Sequence, residues 1–116
     1  MEESILNTVK QSLPMNPEDT AFDGELITYI NSALMLLRQL GIGRKGGCRI
    51  TDETYTWSEF LNESESMEMV KSYVCLSVRL MFDTSSMTPS VIEAIERQMK
   101  EIEWRLMVEA ETPTTD

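Results

Sequence analysis

The residues best suited to chemistry in this 116-residue chain are basic and lie close together. Arg38, Arg44, Lys45 and Arg49 fall between Leu26 and Thr51, where there is no acidic residue. Three of them sit in or beside the glycine-rich run GIGRKGG. Cations on a flexible loop can hold carboxylates or phosphates. The run is read as no phosphate loop, because G-x-x-x-x-G-K-[ST] is absent. Nucleophilic catalysis needs a nucleophile and an activating base. The chain has no histidine, and neither Cys48 nor Cys75 has a marked partner or a C-x-x-C spacing. A zinc site would be short of ligands. The many carboxylates fall at the spacing of solvated helix faces. The sequence thus offers no catalytic, cofactor or metal site, and points to binding instead.

Charge narrows the class of partner. The island carries +4 and the rest of the chain −14, which leaves a net −10. Such a balance disfavours general nucleic-acid or anionic-membrane binding. It suits contact between the basic island and the acidic surface of an identical copy. The two cysteines are expected to stay reduced. MEESILNTVK has acidic residues where a signal peptide needs basic ones. No apolar run approaches the roughly 20 residues of a membrane span. A cytosolic chain, or one made for a soluble assembly, is the expectation.

The elements that must position the island read as helices. Residues 2 to 13 form a short amphipathic helix, with Ile5, Leu6, Val9 and Leu13 on one stripe and Pro14 as its stop. A second helix is expected to start at Asp23 as N-cap, with Phe22 stapled onto Ile27. Leu26, Ile30, Ala33, Leu37 and Leu40 are its apolar face. Gly41 ends it in a left-handed cap that folds Ile42 back on Leu37. A third long helix spans roughly 66 to 82, and is apolar on most sides from Tyr73 to Phe82, as a central helix would be. In the last helix Thr88 caps, Pro89 takes the first position, and Ile92, Ile95, Met99, Ile102 and Leu106 form a heptad-like seam. Trp104 lies off that seam.

Between the second helix and the helices that follow lies an insert, residues 42 to 57. Centred on Asp52-Glu53, it alternates: Ile50 opposite Tyr55 and Cys48 opposite Trp57 make an apolar face, with Thr51 opposite Thr54 and Arg49 opposite Thr56 on the polar one. A β-hairpin-like ribbon is expected, with support from the helices or a neighbouring subunit because a lone two-stranded ribbon is marginal. TWSE then offers a capping box that restarts a helix. The fold class expected is mainly α: a small bundle of four to five helices with this insert between the second and third. Residues 1–110 make a single domain, and 111–116 a disordered tail.

In order, INSALMLLRQLGIG, ITDETYTWSEFL, MVKSYVCLSVRLMFD and IEAIERQMKEIEWRL make the chain similar to the head–tail connector proteins of tailed bacteriophages, also called head-completion or adaptor proteins. The resemblance covers nearly the whole chain up to Ala110. It implies a helical bundle that assembles into a ring, dodecameric by that resemblance. The ring docks on the portal protein, extends the channel through which DNA passes, and presents a platform to a downstream connector or tail protein. It implies a virion protein made in the bacterial host cytoplasm. By the same resemblance the insert from Gly43 to Trp57 takes part in ring contacts, and Trp104 to Asp116 reach towards the portal. The interface residues expected are therefore Arg44, Lys45, Arg49, Ile50, Tyr55, Trp57 and Trp104. Two other functions stay open on the residues alone: an acidic adaptor or regulatory module for a basic protein, and a DNA-packaging accessory that grips DNA through Arg38 to Arg49.

Overall fold

The computed structural model describes residues 4–42, 49–60 and 67–111. These form α1 (Ile5–Ser12), α2 (Asp23–Gln39), a four-residue α3 (Trp57–Phe60), α4 (Met67–Asp83), a 3-10 turn (Thr84–Ser86) and α5 (Pro89–Glu111). Helix α4 is the centre: α1, α2 and α5 all pack against it. Its buried side is Val70, Tyr73, Val74, Ser77 and Val78. Ile5, Leu6 and Val9 of α1 meet this side, as do Leu26, Ile30, Ala33, Leu34 and Leu37 of α2. Helix α5 contributes Leu106 to the same cluster.

The helix ends follow local chemistry. Ser4 caps α1, its Oγ accepting from the Asn7 amide at 3.2 Å. Gly41 has φ of 91°, a conformation that costs glycine little, and the Gly41 and Ile42 amides donate to the Arg38 and Leu37 carbonyls. This is the Schellman arrangement expected at the end of α2. Thr88 Oγ1 accepts from the Val91 amide at 3.3 Å, with Pro89 in the first turn of α5 as expected. The start of α2 differs. Phe22 holds the N-cap position with no side-chain cap. The Asp23 carboxylate instead accepts from Lys10 Nζ at 2.8 Å, and so ties α2 to α1.

The expected β-hairpin is not formed: the described residues contain no strand. The backbone groups that would have paired are engaged elsewhere. Asn31, on α2, receives the Ile50 amide on Oδ1 at 2.8 Å and donates from Nδ2 to the Ile50 carbonyl at 3.0 Å. The Tyr55 carbonyl accepts from the Ile5 amide at 2.9 Å, and Ser4 and Thr56 form an isolated antiparallel bridge. Asp52 closes a local turn by accepting from the Thr54 amide and hydroxyl. A side chain of α2 and the start of α1 thus replace the second strand. Cys48 and the rest of 43–48 lie outside the described residues, as does the expected tail beyond Glu111.

Candidate interface surfaces

Of the residues expected at an interface, the structure brings Ile50, Tyr55 and Trp57 together, but against the subunit's own core. Ile50 is 1% exposed, held at both backbone groups by Asn31. Tyr55 is half-buried and packs on the core. Trp57 is buried, and its indole N–H donates to Thr8 Oγ1 at 3.1 Å, a partner 49 residues away in sequence. The limb from 49 to 57 therefore lies along α1 and α2 and turns Arg49 outward. Arg44 and Lys45 lie outside the described residues. Glycines 41, 43 and 46 do have the bare spacing G-x-G-x-x-G. That spacing makes a dinucleotide cradle where a strand leads into a helix. Here it follows the end of a helix, so it does not carry that reading.

Trp104 is placed on a different surface. Among the described residues, helix α5 packs on α4 and makes no comparable contact with α1 or α2. Its Leu106 is fully buried, while Trp104 is 65% exposed. Met107 and Val108 are exposed with it, at the three- and four-residue spacing that puts them on one helix face. The sequence signal for these two was available in that spacing from Trp104. The seam of α5 faces α4: Met99 and Ile102 pack against the core cluster. The Tyr73 hydroxyl reaches out from α4 to donate to Glu103 Oε2 at 2.7 Å, fixing α5 next to the tryptophan. Burial and the neighbouring Glu103 carboxylate hold the Tyr73 phenol well above the usual tyrosine range. On the outer side, Arg105 and Glu101 pair at 3.3 Å.

Between α4 and α5 runs an open groove of about 690 Å³, bordered by Glu68, Cys75, Glu101, Ile102 and Arg105. Burial raises the Cys75 thiol, with a smaller opposing hydrogen bond to Ser12, so the thiol stays protonated and unreactive near neutrality. Among the described residues no set of three or more histidine, cysteine or carboxylate side chains converges as a metal site would require. What the surface offers is apolar side chains with charges around them, which is how docking surfaces are built.

The sequence model described as "Phage connector protein" matches residues 5–113. The chain belongs to the phage connector protein family. It is thus a structural connector of the phage particle, a virion component from a structural rather than an enzymatic family. The match takes in every described helix of the connector, from α1 to α5. Neither the curated proteins nor the solved structures gave a match. Among the described residues, no helix is long and apolar enough to cross a membrane.

Proposed function

We propose that this connector forms a ring at the head–tail junction, docks on the portal, continues the DNA channel and provides the platform for tail attachment. The observation that carries this reading is the exposed stripe of Trp104, Met107 and Val108 on α5. A large, nearly rigid aromatic left in water is costly for a subunit and valuable at a contact, where tryptophan is a frequent energetic anchor. The helix that carries it is anchored on one side and locked there by Tyr73 and Glu103. The basic island, with Arg44, Lys45 and Arg49, serves neighbouring copies in this reading. The net charge of −10 supports a channel wall that repels DNA, so that DNA slides through without a specific grip. Residues 1–110 act in it as one helical domain.

The test is assembly with the portal. Purified connector mixed with portal should give portal-capped rings by electron microscopy. Trp104→Ala should reduce the recovered complex by about thirtyfold in affinity, the scale of one anchor residue. Unchanged portal binding by that variant and by Met107→Glu would remove the α5 stripe from the account.

A further inference from the structure

Helix α2 carries two unlike exposed patches, one at each end. At its start, the turn that holds Glu18 and Asp19 leads into Phe22, which is 42% exposed. The Phe22 ring stands edge-on to Phe82 of α4, with centroids 5.4 Å apart, and Met81 is exposed beside Phe82. At the other end Met35, 60% exposed, and Leu36 face solvent next to the exposed Arg38. Arg49 joins this end, because Asn31 clamps Ile50 to α2 one turn before Met35. The charges of the two ends are opposite: Glu18, Asp19 and Glu25 stand at the first, where Asp23 is paired with Lys10, and Arg38 and Arg49 stand at the second. The helical rise from Phe22 to Met35 keeps the two patches about 20 Å apart. No bending of a single subunit lets one end satisfy the other.

We infer that the two ends of α2 are the two halves of one head-to-tail contact between copies of this chain, the acidic Phe22–Met81 end of each copy seating on the basic Met35–Leu36 end of the next. The inference rests on the ring reading above and names the surfaces that would build the ring. Apolar centres with charged rims are the make-up of such a contact. Burial of the centres supplies affinity, and the rims set its direction. Two acidic ends repel each other, as do two basic ends, so the symmetric pairings are disfavoured. A contact between two different patches is heterologous, the kind that closes into rings. A partner with only one of these characters, such as DNA at the basic end, would leave the aromatic acidic end uncovered.

The experiment follows assembly of the full chain by sedimentation velocity and native mass spectrometry over a range of concentrations, with and without portal, and with circular dichroism as a control on folding. Met35→Glu and Met81→Glu should each raise the assembly midpoint about tenfold or more. At a concentration where neither variant assembles alone, an equimolar mixture of the two retains one intact junction and should stop at dimers. Arg49→Glu and Glu18→Lys should each weaken assembly, and the chain carrying both should recover it. Normal assembly by all four variants, or a mixture that grows past dimers, overturns the pairing and leaves the ring reading standing. Loss of retention on a DNA column by Arg49→Glu with unchanged assembly also overturns it, because the basic end then serves DNA. A wild-type chain that stays monomeric with and without portal overturns the ring reading itself, and the pairing with it.

Discussion

Replacing Asn31 with alanine tests whether a helix side chain holds the return limb of the insert. The substitution removes two hydrogen bonds, of 2.8 and 3.0 Å, to a residue that is 1% exposed. Each bond contributes about 1 kcal/mol net, and a polar group stranded out of water costs about 1–3 kcal/mol. With the Ile50 amide and carbonyl both released, and some water admitted to them, the expected loss is about 3 kcal/mol. That is a large part of the roughly 5–15 kcal/mol that holds an ordinary domain together. It corresponds to a fall of about 10 °C in Tm for a chain of this length. Urea unfolding followed by circular dichroism measures the first quantity. Amide hydrogen exchange measures the local one: the Ile50 amide should be protected in the wild type and exchange far faster in Asn31→Ala. Asn31→Asp keeps the acceptor for the amide but sets a carboxylate against the Ile50 carbonyl, so it should be as damaging as alanine or more so. A loss below about 0.5 kcal/mol, within the usual scatter of a surface substitution, with Ile50 still protected, would refute the clamp.

Other perturbations have equally definite outcomes. Asp23→Ala should destabilise more than Lys10→Met in urea unfolding, because the Lys10 side chain is 4% exposed and that of Asp23 24%. A stranded buried ammonium costs about 3–5 kcal/mol, whereas a stranded carboxylate that still touches water costs less; the reverse order would contradict the pairing. Tyr73 should resist ionisation in an ultraviolet titration through the pH range where ordinary tyrosine loses its proton, near about 10. Its folded-state value lies above its unfolded one, so its contribution to stability is full below about pH 10 and is lost as pH rises further; Tyr73→Phe should flatten that alkaline decline. Trp57→Phe should cost about 1 kcal/mol through the lost bond to Thr8, read as a shift in urea midpoint at constant slope. Trp104→Ala should leave that midpoint within about 0.5 kcal/mol of the wild type, since the side chain stands in solvent.

Helix boundaries set by local chemistry were readable in the sequence. The threonine–proline start of α5 and the glycine end of α2 depend on residues adjacent in the chain, and both stand where their capping chemistry places them. The central α4 announced itself by being apolar on several sides, and Trp104 by lying off the seam of its helix. The insert was misread for a physical reason. Alternation showed that Ile50, Tyr55 and Trp57 share an apolar side, but alternation does not say what covers that side or what satisfies the backbone. The cover is the bundle core, and the backbone partners are Asn31 and Ile5, whose sequence distance leaves no pattern. An asparagine in mid-helix looks like any exposed polar residue until the segment it grips is in place. Lys10 was hidden in the same way: its charge suggests solvent, yet it lies on the buried side of α1 because Asp23 awaits it. Asp23, read as a cap, is spent on that ion pair.

The central claim is that this phage connector is built to assemble on a portal. Native mass spectrometry of the purified chain, alone and with portal, tests it most directly, since one spectrum gives both copy number and partner. The account predicts a closed ring of one defined copy number bound to the portal. A chain that remains monomeric at high concentration and leaves the portal free would contradict it.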